Sequence, residues 1–152
     1  MYEMQRIVDQ LHRAYAGNAW HGPAVSEVLA GITAEQAARK PLAGAHSIWD
    51  IVNHIAVWES VVRRRLEGER IVELPPEEDW PAVRDTSEAA WKKTLEDLER
   101  GHRQLEETIS RLSDDRLGNG VFGKDYNVYV MLHGVVQHDL YHAGQIAILK
   151  KA

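Results

Sequence analysis

The sequence predicts an all-α protein arranged as a four-helix bundle. Three observations carry that expectation: four long segments repeat their apolar residues with helical period, the breaks between them fall at a few glycine and proline clusters, and strand signals are poor. A length of 152 residues fits a single domain spanning 1–152, and an apolar fraction of 44% with 27% charged residues lies in the globular range.

The first helix is expected from Glu3 to Gly17, where Met4, Ile7, Val8, Leu11 and Tyr15 share one side. Gly22-Pro23 breaks it, and Pro23 to Ala30 continues as a short helical piece, with Pro23 in its first turn and Val25, Val28 and Leu29 on its apolar side. Lys40-Pro41-Leu42-Ala43-Gly44 reads as a loop. The second long helix starts after Ser47, an N-cap residue with Asp50 three positions on. Ile48, Ile51, Val52, Ile55, Val57, Trp58, Val61 and Val62 follow at spacings of three and four, and Gly68 is the stop. Leu74-Pro75-Pro76 and Trp80-Pro81 bracket a second loop. The third long helix runs from Ser87 to Leu112 on Trp91, Leu95, Leu98, Leu105, Ile109 and Leu112, and Gly101 inside it is read as a mark of close helix contact. Leu117 to Val130 holds β-branched and aromatic residues but is too crowded with glycine to build a sheet. The last helix, from Asn127 to Lys150, carries Val128, Met131, Leu132, Val135, Val136, Ile146 and Leu149.

Charge and composition exclude several function classes. A formal net charge of −5 gives no electrostatic support to nucleic-acid binding, and Arg63-Arg64-Arg65 is followed by Glu67 and Glu69, as at a solvated helix end. No apolar run approaches the ~20 residues that span a bilayer. With no cysteine the chain can form neither a disulfide nor a thiolate metal site, and it has no cysteine nucleophile. The opening MYEMQRIVDQ mixes acidic and polar residues and does not read as a signal peptide, so a cytoplasmic location is expected.

The strongest chemical signal is His138-Asp139-Leu140-Tyr141-His142. Histidines at i and i+4 lie on one helix face, ~5–6 Å apart at Cβ, which lets two imidazoles reach one metal ion. Met131, Val135, His138, His142, Gln145, Ile146 and Leu149 stack on one face, so the pair interrupts the core stripe. Asp139 replaces the glutamate of an HExxH motif and projects about 100° away from His138. On the second helix His54 also interrupts an apolar stripe, between Ile51 and Ile55–Trp58. Buried imidazoles need partners: hydrogen bonds to other core groups are one reading, and a single metal ion that satisfies all three is the other. Asp50, one turn before His54, has two readings: a helix cap, or an acceptor that orients the His54 ring. His12 and His102 are expected at the surface, and His133 points away from the pair. His21 and His46 are candidates for a pocket rim. Trp49 and Trp58 are core residues in one reading and pocket walls in the other.

The segments from Gly44 to Ile55 and from His138 to Ile146, with Ala143-Gly144-Gln145 closing the second motif, resemble the DinB/YfiT-like superfamily, and Trp20 to Leu29 is similar to its first-helix region. The resemblance covers nearly the whole chain. It implies a four-helix bundle in a down-up-up-down or related order with a long crossover, for which Leu66 to Thr86 is the candidate. It implies metal ligation by His54, His138 and His142, with nickel or zinc as the expected divalent ion. It further implies a homodimer paired through long helices, and for some relatives a reaction that uses a low-molecular-weight thiol.

Three neutral imidazoles leave a divalent ion its full charge and open positions, which suits a catalytic site better than a closed structural one. The first functional expectation is therefore a metal-dependent enzyme acting on a small molecule, a thiol-dependent S-transferase in its specific form. The alternatives are a hydrolase using metal-bound water and a non-enzymatic metal- or ligand-binding bundle of a stress response. Asp50, Tyr141 and Gln145 are the residues within reach as acid–base groups, and none is assigned that role.

Overall fold

A computed structural model describes residues 2–152. Among them the chain forms seven α-helices: α1 (Glu3–Ala16), α2 (Val25–Leu29), α3 (Ala34–Ala38), α4 (Ile48–Leu66), α5 (Pro76–Asp79), α6 (Glu88–Ser110) and α7 (Val128–Leu149). A short 3-10 turn covers Asp114–Arg116, and β pairing among the described residues is limited to the isolated bridges Ala19–Gly22 and Gly120–Asn127. The long helices α1, α4, α6 and α7 are the four the apolar spacing predicts.

Their ends are set by side chains that satisfy the free backbone groups of a helix terminus. Ser47 Oγ accepts from the Asp50 amide and Asp50 Oδ2 from the Ser47 amide, both at 3.0 Å, a reciprocal capping box on α4. Asp50 is thus the cap of the two readings, and the orienting role falls to another residue. Ser87 and Asn127 cap α6 and α7 through the amides of Ala90 and Val130. Asp114 closes α1 from across the bundle, accepting from the amides of Glu3 and Met4 at 2.8 and 2.9 Å.

Cross-helix contacts fix the directions. Trp49, early in α4, donates to Thr94, early in α6, at 3.0 Å, and Glu59 meets His102 farther along both, so α4 and α6 are parallel. His54 meets His138 while Arg65 meets Tyr126, just before α7, so α7 runs against α4. Asp114, beyond the end of α6, caps the start of α1, and Tyr15 near the end of α1 stacks on His102, so α1 runs against α6. The order is down-up-up-down. Because α4 and α6 are parallel, the segment 67–87 must travel back along the bundle, and it carries α5 on the way. This is the expected crossover.

Three local expectations fail. His102 is not solvated: it is 1% exposed, because it lies four residues after Leu98 and three before Leu105 on the buried stripe of α6. Gly101 marks no close contact, since an added Cβ there would meet nothing within 4 Å. Pro23 lies outside the first turn it was expected to fill, because α2 begins at Val25 with Ala24 as its N-cap.

Candidate metal centre under the crossover

His54 comes from the middle of α4, and His138 and His142 come from successive turns of α7, so the antiparallel packing of these helices brings the rings together. His138 Nε2 lies 3.1 Å from His54 Nε2 and 3.1 Å from His142 Nε2. All three rings therefore point the same atom at one spot. His54 and His142 are buried and His138 is partly buried.

The other ring nitrogens decide what those atoms carry. His54 Nδ1 lies 3.0 Å from the Asp79 carbonyl oxygen, which can only accept, so Nδ1 holds the proton and Nε2 a lone pair. His142 Nδ1 donates in the same way to Gln145 Oε1 at 2.7 Å. His138 Nδ1 is buried with no partner. Two lone pairs thus converge on His138 Nε2, where either that ring's own N–H or a cation among the nitrogens satisfies them. The donor set fits a divalent ion, and these three residues can hold one.

Electrostatics keep the two α7 rings, His138 and His142, in the ligating form. Burial, reinforced by the neighbouring His142 and His54, pushes the His138 imidazolium down to about 3. Burial also lowers His142, and the nearby His54 and His46 act in the same direction against its bond to Gln145.

The crossover supplies partners that the sequence did not reveal. The Asp79 carboxylate Oδ1 lies 3.0 Å from His54 Nδ1 and accepts from Trp58 Nε1 at 2.7 Å. Trp80 lies flat on His54, with ring centroids 3.8 Å apart and an interplanar angle of 4°, and its environment includes His46, stacked at 3.6 Å. The indole shields the His54 ring. Asp79 ends α5 and Trp80 is its C-cap, and this one-turn helix is too short to show an apolar period, so only its proline brackets were readable. His46 stacks on Trp80 at the edge of the histidine cluster, and the exposed His21 meets the Pro23 carbonyl. Tyr141 is 67% exposed and turned away from the core.

A cavity of about 260 Å³ reaches His138 and is walled by Trp58, Val62, Met131 and Val135, with Arg65 among its lining residues. Trp58 is therefore a pocket wall, while Trp49, 2% exposed, is core. Arg65 is held by the carbonyls of Ile71 and Val72 and by the Tyr126 hydroxyl, and no carboxylate neutralises it among the described residues. The pocket is mostly apolar with a single cationic group.

A family model described as the DinB superfamily matches residues 9–146. No curated protein and no solved structure matches the chain.

Proposed function

The chain belongs to the DinB superfamily, and from that premise we propose that it is a metal-dependent enzyme whose ligands are His54, His138 and His142 and whose substrate is a small molecule seated in the cavity beside His138. The observation that carries this reading is the convergence of three Nε2 atoms, 3.1 Å apart in two pairs, with two of the rings already committed through Nδ1. Nickel or zinc suits a site made only of imidazoles. When bound, such an ion supplies Lewis acidity toward a coordinated oxygen or sulfur. The chain's own residues do the rest. Asp79 and Gln145 hold two ring orientations, Trp80 keeps water off His54, and the walls formed by Trp58, Val62 and Val135 receive an apolar body.

The specific form of the proposal is S-transfer from a low-molecular-weight thiol. The chain has no cysteine of its own to act as nucleophile, and Arg65 beside the pocket is suited to the anionic group of a thiol or its acceptor. Pairing of two copies through α7 belongs to the same reading, supported by Val130, Tyr141 and Ile148 exposed along that helix.

The test starts with metal analysis of tag-free protein. Wild type is expected to carry a stoichiometric ion that His138→Ala loses, and equal, negligible metal in both sinks the site. A screen of electrophiles with and without added thiol then separates reactions. Strict thiol dependence supports transfer, turnover without thiol points to hydrolysis by metal-bound water, and no turnover with a melting temperature that still rises on metal addition points to a binding protein.

A further inference from the structure

A polar layer divides the core of the bundle. One apolar cluster holds Ile55, Leu98 and Ile146, and a second holds Val62, Leu105 and Val135. Between them three of the four long helices each contribute a polar side chain at the position where the stripe passes: Glu59 on α4, His102 on α6 and Asp139 on α7, respectively 1, 1 and 0% exposed. Tyr15 of α1 covers the layer by stacking on His102 with ring centroids 4.2 Å apart.

The hydrogen bonds of this layer do not close. His102 Nδ1 meets Glu59 Oε1 at 2.7 Å, and its Nε2 meets Glu106 Oε1 at 3.0 Å. Glu59 Oε2 and both Asp139 carboxylate oxygens are buried without a partner. Two carboxylates side by side in an apolar core require positive charge: a protonated His102 can pair with Glu59, and Asp139 beyond it still needs a metal ion or a proton of its own.

We propose that Glu59, His102 and Asp139 form a second cation site, at the centre of the bundle and distinct from the three histidines under the crossover. One ligand atom from each of the three residues lies within 4.8 Å of the others. Two carboxylates and one neutral imidazole balance a divalent ion, leaving the buried layer uncharged. His102 is held as metal-ligating histidines are: its Nε2 faces the Glu106 carboxylate, which is itself bound by His12 Nδ1 at 3.0 Å. When His102 gives up the Nδ1 proton, that nitrogen turns its lone pair toward Glu59 and Asp139 while Nε2–H keeps its bond to Glu106. The donors, two oxygens and one nitrogen, suit manganese, ferrous iron or zinc, unlike the all-nitrogen site formed by His54, His138 and His142. Ligands from α4, α6 and α7 make the ion a clamp on three helices, the way bundle proteins build metal sites from facing helices.

The competing state is an ion-free layer in which His102 is protonated between Glu59 and Glu106 and Asp139 keeps a proton. Burial first, and then the adjacent Glu59, hold its carboxyl well above the usual carboxylate range. The experiment separates the two states by counting ions. Because the layer is enclosed, tag-free full-length protein is unfolded in chelator, refolded with Mn²⁺ or Zn²⁺, desalted, and analysed by elemental analysis and native mass spectrometry. Wild type is expected to hold two ions per chain. The triple variant His54→Ala/His138→Ala/His142→Ala should keep one and melt at a higher temperature with Mn²⁺ than without, and adding Asp139→Asn should remove that ion and that shift. If wild type holds one ion, its dependence decides: retention in His138→Ala with loss in Asp139→Asn supports the second site, and the reverse overturns it. No ion in wild type overturns it as well. Circular dichroism confirms that each variant is helical, and Glu59→Gln replaces Asp139→Asn should the latter fail to fold.

Discussion

Asp79→Ala removes a carboxylate that touches the candidate metal centre without belonging to it. In the folded chain Asp79 Oδ1 accepts from Trp58 Nε1 at 2.7 Å and lies 3.0 Å from His54 Nδ1, while the backbone carbonyl of the same residue also accepts from that nitrogen at 3.0 Å. The substitution therefore orphans the Trp58 indole N–H but leaves His54 one acceptor. A hydrogen bond to a charged group contributes ~1.5–3 kcal/mol, and with the Asp79 side chain 29% exposed the lower end applies. The expected loss of stability is about 1–2 kcal/mol. Loss of an outer partner of a metal-bound histidine weakens affinity by ~10–100-fold. Because the carbonyl still fixes the His54 tautomer, the expected change is about tenfold, or ~1.4 kcal/mol. Competition with a chromophoric chelator for Ni²⁺ or Zn²⁺ measures it, alongside urea denaturation of the metal-free proteins. Asp79→Asn, which keeps an acceptor oxygen, should fall between wild type and alanine. The reasoning is refuted if Asp79→Ala binds metal within twofold of wild type while His54→Ala abolishes binding. It is refuted equally if Asp79→Ala is as damaging as His54→Ala.

Further expectations follow from the same contacts. The burial-depressed His138, at about 3, and the lowered His142 stay neutral on acidification, so metal should be retained below pH 6.5, the ordinary histidine range, and a release midpoint at or above 6.5 in a pH titration contradicts this. His102 behaves oppositely: burial pushes it down, but its hydrogen bonds to Glu106 and Glu59 and their charge outweigh burial and lift it to about 9. A raised folded value contributes stability below the unfolded value near 6.5 and loses it as pH rises through 9, so the metal-free protein should lose about 3 kcal/mol across that window, and His102→Gln should flatten the profile. Gly123, at φ +70°, would place a Cβ 2.7 Å from Val72 Cγ2, whereas Gly44, at φ +76°, has nothing within 4 Å. Gly123→Ala should thus cost about 2 kcal/mol or more and Gly44→Ala about 1, read by thermal denaturation.

The sequence carried the bundle because its long helices bury continuous stripes, and burial leaves a spacing that can be counted. The three histidines were legible for the same reason: each stands where an apolar residue would continue a stripe. Asp79 and Trp80 left no such trace. Their positions follow from the parallel packing of α4 and α6, which sends the crossover back over the site, and that packing is a tertiary fact with no local period. His102 is a different failure. It sits among Arg100, Arg103 and Glu106, and these charged neighbours suggest solvent, yet its spacing from Leu98 and Leu105 already placed it inside. Glu59 follows Ile55 by four and precedes Val62 by three, and Asp139 follows Val135 by four, so both obey the same rule. Register on the helix decides burial more reliably than the polarity of sequence neighbours, because adjacent residues lie about 100° apart.

That angle also explains how α7 serves two polar sites at consecutive positions. Facing His54 requires His138 and His142 to point toward α4 beneath the crossover, where the ring of His138 reaches an open cavity. Asp139, rotated by one residue, must then enter the centre of the bundle, where it is fully buried beside Glu59. Its departure from the direction of His138, which removes it from the histidine cluster, is the same fact that commits it to the polar layer. A helix with polar groups on two adjacent faces can remain inside only if both faces are satisfied, since an unpaired buried carboxylate is among the costliest groups a core can hold. The apolar residues of α7 therefore do not account for its placement alone. Its position also depends on what His138 and His142 meet on one face and what Asp139 meets on the other.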